Sequence, residues 1–526
     1  MKKRLITGAL FVAALLAAGM AFGYPRGRGN NEAYKDLERF TLAYQRILTA
    51  YVEDVDSDLL IDKAIDAMVE ELDAFSAVLE EDRYDDLMTR SKQEFGGLGI
   101  VIGLRDDFPT VISPIEDTPA ARLGIRGGDR IEEIEGENTE GWKIQDAVDK
   151  LRGKKGSDVT IGIRRFGENE LVPYTITRDI ITVTSVPYSF KLDESVGYVR
   201  ISSFGEKTAD ELNDAVNQLE EGGIEGLIVD LRNNPGGLLD AAREVSEFFL
   251  ESGQLIVSTR HRDGVLGQEL YARGGKHVAG EYPVVVLINE GSASASEIVA
   301  GAVQDWDRGL VVGRNSFGKG SVQSIFPLSE TEALKLTTAK YYTPSGRCIH
   351  RDEYNHKFSD AESDTLTWED ISSVPQEELP PYATMRLNRT VRGGGGIMPD
   401  VIVESKEFSD LALDLERRAA FFNFAVELAA EERIGPDFVA DDEILDRFEE
   451  FLAGREIEYE TEQFEEERDY LSMAIRRELF YNQFGAAEAY RSTLEKDLPL
   501  QEALKLLRDN LTVDRLLASV EEMEEE

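Results

Sequence analysis

The spacing of apolar positions changes several times along the chain and predicts segments of different structure. Over residues 32–91 apolar side chains recur three and four positions apart, for example at Leu37, Phe40 and Tyr44. This is the period of one face of a helix. We therefore predict a linker followed by a small helical segment over residues 24–93.

Residues 94–180 carry a different pattern. Short runs rich in β-branched residues, such as Gly99–Leu104, Arg130–Ile134 and Val159–Arg164, alternate with turns that contain Gly and Asp. Two short helical stretches interrupt these runs. The pattern indicates a mainly-β domain inserted between the helical segment and the rest of the chain.

Strands and helices alternate from about residue 196 to residue 345. The apolar run Pro283–Ile288 leads into a helical stretch, Ala295–Asp305, and a further strand follows at Leu310–Gly313. Alternation of this kind is typical of an α/β layer built from crossover units. We predict that the α/β core covers residues 181–404.

Three further segments complete the chain. The polar residues 346–396 predict a surface loop, and Asp400–Glu404 predicts a last strand of the core. Residues 405–526 have helical spacing and many acidic residues, which predicts a helical C-terminal appendage. The fold class expected from the whole pattern is therefore a multidomain α/β protein.

The first residues follow the plan of a secretory signal peptide. Lys2, Lys3 and Arg4 precede the apolar run Leu5–Phe22, which ends among small residues. Residues 1–23 therefore predict export to the periplasm or another extracytoplasmic compartment. The run is also nearly long enough to span a bilayer, so cleavage and anchoring in the inner membrane both remain open.

Charge and cysteine content exclude several classes of function. The formal net charge of -44 over 526 residues argues against nucleic acid and against docking on anionic lipid, because both need a basic surface. Cys348 is the only cysteine, so neither an internal disulfide nor a multi-cysteine metal site can form. With only four histidines in addition, we predict no metal and no cofactor.

The segment with the clearest chemistry is a strand that runs into a turn of very small residues and then a helix. Ser294 lies in that turn, at a predicted helix N-terminus, where free backbone N–H groups can stabilise negative charge. Ser294 and Glu297 also fit a capping box, in which the two side chains only satisfy the first helical donors. The segment alone leaves both interpretations open.

A lysine flanked by glycines follows downstream. Lys319 could deprotonate a serine if burial lowered the pKa of its amine, and the neighbouring glycines allow close approach of the backbone. Gln323 could hydrogen-bond and orient that amine. The alternative for Lys319 is an ordinary lysine in water.

A third segment, Asp230-Leu231-Arg232-Asn233-Asn234-Pro235-Gly236-Gly237, follows a predicted strand. A glycine there can present its N–H as a second donor to an oxyanion. The same residue types also suit a plain turn between a strand and a helix.

The three segments, LRNNPGG, SASASE and FGKGSVQ, together resemble the C-terminal processing (tail-specific) peptidases of the S41 type. The resemblance extends over about residues 32–404. It implies an exported serine endopeptidase whose core has the layering of the ClpP and crotonase folds. The glycine-rich motif at 394–400 and the Tyr-Tyr-Thr-Pro motif at 341–347 also resemble that family, the latter with a structural or substrate-lining role.

The resemblance implies a role for individual residues. Ser294 matches the nucleophile, Lys319 the general base, and Gln323 the residue that positions the lysine. The backbone N–H groups of Ala295 and Gly237 match the oxyanion hole. A register error of one residue would replace the glycine by its neighbour, Gly236.

The domain at 94–180 resembles a PDZ domain. Gly97, Leu98, Gly99 and Ile100 occupy the place of the family's carboxylate-binding loop, where successive N–H groups capture the terminal carboxylate of a peptide. The implied partners are proteins with apolar, unstructured C-termini. An activating adaptor or lipoprotein, and a homo-oligomer formed through the helical segments, remain open.

The chain departs from the family at one N-terminal motif. Many members have Leu-Asp-Pro-His-Ser where this chain has Leu72-Asp73-Ala74-Phe75-Ser76, and the resemblance implies no catalytic role there. Two other classes of function stay open: a non-catalytic PDZ adaptor on a protease-like scaffold, and a crotonase-like enzyme, which would need no serine–lysine pair.

Overall fold

A computed structural model describes residues 30–79, 92–168, 170–274, 282–329, 332–351, 379–404 and 408–525. The predicted signal segment of residues 1–23 lies outside the described residues. The chain divides into two compact units, one up to Glu71 and one from Leu72 onward. In the described ranges no helix has the length and apolar character needed to cross a membrane.

The first unit consists of helices α1 (Asn30–Ala50) and α2 (Ser57–Glu70). Asp56 caps α2, since its carboxylate accepts hydrogen bonds from the N–H groups of Asp58 (3.0 Å) and Leu59 (3.2 Å). The predicted helical segment is thus confirmed up to Glu70.

For Ala77–Leu79, among the described residues that follow, the prediction of helix is wrong. Ala77–Leu79 is a strand, β1, of the second unit, paired antiparallel with a strand distant in the sequence. A short apolar run fits helix or strand equally well, and here the distant partner decides.

The inserted β domain begins and ends in one ribbon. Strand β2 (Glu94–Gly97) pairs antiparallel with β9 (Asp179–Thr182), so the chain enters and leaves the domain side by side. Among the described residues a six-stranded sheet lies between them. Its strands and the two helices that interrupt them are β3 (Ile100–Arg105), β4 (Phe108–Pro114), α3 (Pro119–Arg122), β5 (Arg130–Ile134), β6 (Glu137–Asn138), α4 (Ile144–Leu151), β7 (Asp158–Arg164) and β8 (Val172–Thr177).

The α/β core is built on a mostly parallel sheet. In the described part of the chain its order is β10-β11-β12-β15-β16-β21, with only the β10–β11 pair antiparallel. Helices α5, α6 and α7 contribute to the apolar layer on one face. The elements are β10 (Tyr188–Lys191), β11 (Val196–Arg200), α5 (Thr208–Glu221), β12 (Gly226–Asp230), α6 (Leu239–Ser246), β15 (Val284–Ile288), α7 (Ala295–Asp305), β16 (Leu310–Gly313) and β21 (Val401–Ile402).

The topology sets the place of the site. Strands β12 and β15 are neighbouring parallel strands and are buried throughout. Their carboxyl ends therefore meet at one edge of the sheet, where loops of open α/β sheets form binding crevices. The LRNNPGG motif follows β12, and the segment with the SASASE motif follows β15.

A second sheet, antiparallel in all its described strand pairs, lies against this edge. It joins β1, β13 (Leu255–Arg260), β14 (Leu266–Tyr271), β17 (Ser321–Pro327) and β18 (Ala333–Tyr342). A short hairpin, β19 (Pro381–Ala383) with β20 (Thr390–Arg392), follows.

The prediction of a surface loop at 346–396 is wrong for part of that range. Arg347 is fully buried and its guanidinium lies 2.8 Å from the Asp305 carboxylate, which is also fully buried. Ile349 belongs to the main apolar core. Composition predicted exposure here, but a charged pair can be buried when its members satisfy each other.

The C-terminal segment is helical, as predicted, but it is not one appendage. Helices α8 to α12 share an apolar core of their own, whereas α14 and α15 contribute to the apolar layer over the second face of the parallel sheet. The helices are α8 (Asp410–Arg417), α9 (Ala420–Glu431), α10 (Asp442–Gly454), α11 (Thr461–Glu466), α12 (Arg468–Phe484), α13 (Ala486–Thr493), α14 (Leu498–Asp509) and α15 (Val513–Glu525). The last helices are thus a layer of the core.

Candidate active site

The turn between β15 and α7 holds Ser294 in a strained backbone conformation. Its φ is 55° and its ψ is -110°, a region that residues with a Cβ rarely adopt and that costs about 1–3 kcal/mol. Strain of this kind persists only where the surroundings enforce it, and it is concentrated at functional sites. Ser294 is partly exposed, at the start of the helix.

Glu297 is the group that enforces this conformation. Its Oε2 accepts the N–H groups of Ser294 (2.7 Å) and Lys319 (2.9 Å), and its Oε1 accepts the N–H of Gly318 (2.7 Å) and the hydroxyl of Ser316 (2.5 Å). The side chain is fully buried, and burial raises the pKa of its carboxyl against the opposing effect of these donors. Glu297 therefore caps the helix, as the capping-box interpretation predicts, and also ties the serine turn to the lysine loop.

Lys319 is partly buried. Burial lowers the pKa of its amine, and the nearby charge of Lys335 acts in the same direction. The Nζ atom is 4.9 Å from the centre of the Phe75 ring, within the range of a cation–π contact. Phe75, in the motif for which the resemblance implies no catalytic role, thus contacts the predicted base.

Tyr341 braces the same two residues from their carbonyl side. Its buried hydroxyl donates to the backbone carbonyl oxygen of Lys319 and lies 3.1 Å from that of Ser294. Burial raises the pKa of this phenol well above its ordinary value, so it stays a donor. Glu297 and Tyr341 together hold both N–H groups and both carbonyl groups of the predicted pair.

Gln323 does not bond to the lysine amine in this structure. Its Nε2 donates to the hydroxyls of Ser321 (3.0 Å) and Thr337 (3.3 Å). Among the described residues no hydrogen bond joins the side chains of Ser294, Lys319 and Gln323 to one another. The structure connects Ser294 and Lys319 through their shared bonds to Glu297 and Tyr341, and the orienting role of Gln323 stays a prediction.

The glycine pair after β12 lies directly against the serine turn. A Cβ built on Gly236 would be 2.8 Å from Ser294 Cβ, and one built on Gly237 would be 2.0 Å from the Phe204 carbonyl oxygen. The Gly236 N–H donates to Asn234 Oδ1 (2.9 Å). Among the described residues no bond engages the N–H of Gly237, so of the two glycines it is the one able to donate to a substrate.

The other serines of the turn have structural partners. The Ser292 hydroxyl donates to the Leu231 carbonyl oxygen (2.8 Å), and the Ser296 hydroxyl donates to that of Asn234 (2.9 Å). Both side chains are fully buried. These bonds connect the serine turn to the glycine turn, as expected for scaffold residues.

The predicted carboxylate loop of the β domain links β2 to β3. The carbonyl oxygen of Leu98 accepts the N–H of Ala120 (3.0 Å), and that of Gly99 accepts the N–H of Ile115 (2.8 Å). Because a planar trans peptide points its N–H away from its carbonyl, the N–H groups of Gly99 and Ile100 face the opposite side. This arrangement is compatible with capture of a carboxylate.

In the described ranges no cluster of His, Cys, Asp and Glu could hold a metal ion.

Sequence reasoning did not predict the contacts of Phe75 and Tyr341. The resemblance implied a structural or substrate-lining role for the motif of Tyr341, but neither residue type indicates which distant group it contacts. Glu297 was visible as a helix cap, but its bonds to the lysine loop were not.

Three family models match the chain. The model for peptidase family S41 matches residues 195–356, the PDZ domain model matches residues 110–165, and the model named activating protease CtpB N-terminal domain matches residues 24–82. The first covers the serine, glycine and lysine motifs, and the second lies within the inserted β domain. The combination defines a peptidase that carries a PDZ domain.

Relatives narrow the class further. The carboxy-terminal-processing protease of Bartonella bacilliformis is 44% identical over 326 residues, which are 61% of this chain and 74% of the relative. The carboxy-terminal processing protease CtpB of Bacillus subtilis is 36% identical over 62% of this chain and 68% of its own. The solved photosystem II D1 C-terminal processing protease is 28% identical, covering 59% of this chain and 89% of its own with a TM-score of 0.35. The chain belongs to the carboxy-terminal processing proteases of peptidase family S41.

Proposed function

We propose that this chain is an exported serine endopeptidase that cleaves proteins near their C-termini with a Ser294–Lys319 dyad. The observation that carries the proposal is the strained Ser294 backbone, held by Glu297 to the half-buried loop of Lys319. A helix cap alone needs neither the strain nor the bond to a lysine loop.

The chemistry follows from the groups at this site. Lys319 in its neutral form takes the proton of the Ser294 hydroxyl, which attacks the scissile carbonyl carbon. The N–H groups of Ala295, at the first turn of α7, and of Gly237 stabilise the resulting oxyanion. The protonated amine returns its proton to the leaving amine, and water then hydrolyses the acyl-enzyme.

The dyad has to close before the first step. In this structure the amine of Lys319 rests on the Phe75 ring. Rotation of the flexible lysine stem moves the amine to the serine hydroxyl, where the amide oxygen of Gln323 accepts a second hydrogen bond and orients it. Substrate binding supplies the force for this rotation.

The PDZ domain selects the substrate. The N–H groups of the loop from Gly97 to Ile100 take the terminal carboxylate, and the peptide adds as a strand beside β3. The substrates are therefore proteins with an apolar, unstructured C-terminus. The ribbon of β2 and β9 joins the domain to the core. Peptide binding to the domain therefore also changes the activity of the dyad, and Arg178, beside that ribbon, is a residue at which this coupling can be monitored.

The place of action is outside the cytoplasm. Residues 1–23 direct export, and the match to the CtpB N-terminal domain begins at residue 24. Cleavage of this segment or its retention as an inner-membrane anchor, activation by a lipoprotein or adaptor, and assembly through the helical segments belong to the same proposal.

The first experiment compares purified residues 24–526 with the Ser294→Ala and Lys319→Arg variants on an unfolded protein with an apolar C-terminus. We expect cleavage by the wild type and none by either variant. Ser294→Ala lacks the hydroxyl nucleophile, and the guanidinium of Lys319→Arg stays protonated and cannot act as a base. Equal cleavage by wild type and Ser294→Ala would refute the nucleophile. Binding of the tail without cleavage, in the presence of candidate activators, would favour the non-catalytic adaptor.

A further inference from the structure

The C-terminal helices reach the turn that carries the oxyanion glycine. Asp497, the N-cap of α14, accepts two hydrogen bonds from the Arg232 guanidinium, at 2.8 Å and 2.7 Å. The same carboxylate accepts the N–H of Leu500 (3.1 Å). One side chain thus caps a C-terminal helix and binds, through two hydrogen bonds, the second residue of the LRNNPGG motif.

Arg232 passes this contact into a buried network. Its guanidinium also binds the fully buried Asp230 carboxylate, with Nη2 2.6 Å from Oδ2. Asp230 accepts the hydroxyl of Tyr198 (2.7 Å), and Tyr490 of α13 lies 2.7 Å from that hydroxyl. The Tyr490 hydroxyl accepts a further bond from Arg200 (2.9 Å). Burial alone would raise the pKa of Asp230, but the two arginines hold it below its usual value.

Further hydrogen bonds connect the residues after Arg232 to the serine turn and to the glycine pair. Asn233, next to Arg232, donates its N–H to Asn289 Oδ1 (2.8 Å) in the serine turn. The carbonyl oxygen of Asn234 accepts the N–H of Ala293 (2.9 Å), and its side chain accepts the N–H of Gly236. The turn is therefore bonded to the C-terminal helices at one end and to the nucleophile turn at the other.

We propose that the C-terminal helices help to position the proteolytic site. Asp497 and Tyr490 are positioning residues, which hold the turn that carries Gly237 through their bonds to Arg232 and its network. This proposal rests on the proposed function for its catalytic consequence. An oxyanion donor works only if it is placed before the charge develops. A forked, charge-paired contact fixes direction as well as distance, which apolar packing of the same helices does not.

The test uses the full chain and a variant that keeps the helix cap. Asp497→Asn retains a good N-cap residue but loses the charge and one acceptor for Arg232. Arg508→Gln is the matched control, because Arg508 also joins α14 to the core, at 2.8 Å from Asp193, away from the turn. We expect Asp497→Asn to lower kcat about tenfold, with KM within about twofold of the wild type. This loss is smaller than the roughly 100- to 1000-fold cost of removing an oxyanion donor, because the donor is displaced and not deleted. Arg508→Gln should leave both constants unchanged.

A second readout separates positioning from loss of stability. Affinity for a peptide aldehyde, which forms a tetrahedral adduct with the serine, should fall in proportion to kcat in Asp497→Asn. Asp497→Glu, which restores the charge, should recover part of both. Should Asp497→Asn fail to fold, Tyr490→Phe keeps the ring stacked on Tyr188 and should lower kcat in the same direction. Equal losses in Arg508→Gln, or a kcat loss without loss of aldehyde affinity, would overturn the proposal.

Hydrogen exchange tests the network without any turnover. In Asp497→Asn the amides of residues 231–238 should exchange faster than in the wild type, and in Arg508→Gln they should not. If the wild type cleaves no substrate, the proposed function fails while this measurement still decides on the network. Identical exchange in the wild type and Asp497→Asn would overturn the inference.

Discussion

The brace formed by Tyr341 can be removed with the loss of a single oxygen atom. Tyr341→Phe leaves the buried ring in place and deletes the hydroxyl that donates to the carbonyl oxygens of Lys319 and Ser294. The Ser294 carbonyl keeps the N–H groups of Glu297 and Ile298, both at 3.0 Å. The Lys319 carbonyl loses the phenol as its donor.

The expected cost follows from that difference. One buried hydrogen bond is lost and one buried acceptor loses a donor, which together destabilise a protein by about 1–3 kcal/mol. Among the described residues, Glu297 is then the hydrogen-bond partner left to the backbone of Lys319 itself, so kcat should fall by more than the change in folded fraction explains. Thermal unfolding and steady-state cleavage of one unfolded substrate measure the two effects separately.

Tyr342→Phe is the matched control. Tyr342 is the next residue of β18 and therefore points to the other face of the strand, where its ring lies 4.3 Å from the Arg260 guanidinium. Its variant loses a contact with the Cys348 side chain but no bond to Lys319 or Ser294, so it should destabilise the protein less than Tyr341→Phe does and leave kcat intact. A Tyr341→Phe enzyme with the melting temperature and kcat of the wild type would refute the reasoning.

Three more outcomes are expected. The kcat/KM of the wild type should rise with pH as Lys319 loses its proton, since burial lowers the pKa of its amine. The unfolded state binds this proton more tightly, so the free energy of unfolding should also rise with pH below the ordinary lysine pKa of 10.5. Lys319→Met should remove that rise in thermal unfolding curves. Gly237→Ala should be inactive with normal PDZ-peptide binding, because its Cβ would be 2.0 Å from the Phe204 carbonyl oxygen; retained activity would show that the turn can move. Arg347→Met should destabilise the protein by about 3–5 kcal/mol in chemical unfolding, since it strands the buried carboxylate of Asp305, and adding Asp305→Asn should restore part of that loss.

The chemistry of the site could be predicted from sequence because it lies in short, contiguous segments. The serine turn, the glycine turn and the lysine loop each follow a strand, and parallel strands bring their carboxyl ends together. Phe75 and Tyr341 could not be placed, since nothing in their neighbours specifies which distant group they contact.

The same limit explains the C-terminal helices. Their spacing showed apolar faces but not what covers them, so a layer of the core looked like an appendage. Arg347 shows the opposite failure, because a charged residue in a polar stretch gave no sign of its buried partner Asp305.

The ribbon of β2 and β9 has a consequence for how such proteins arise and can be altered. Glu94 and Thr182 are paired across it, about 5 Å apart as in any antiparallel pair. The two ends of the PDZ domain therefore join the rest of the chain at neighbouring points of the backbone. A module with neighbouring ends can be exchanged for another of similar spacing without a change in the path of the remaining chain. Such an exchange would uncover Val426 and Tyr481, which contact Gly128 and Ser113 of the PDZ domain, so a replacement has to match the surface of the C-terminal helices as well as the gap in the backbone.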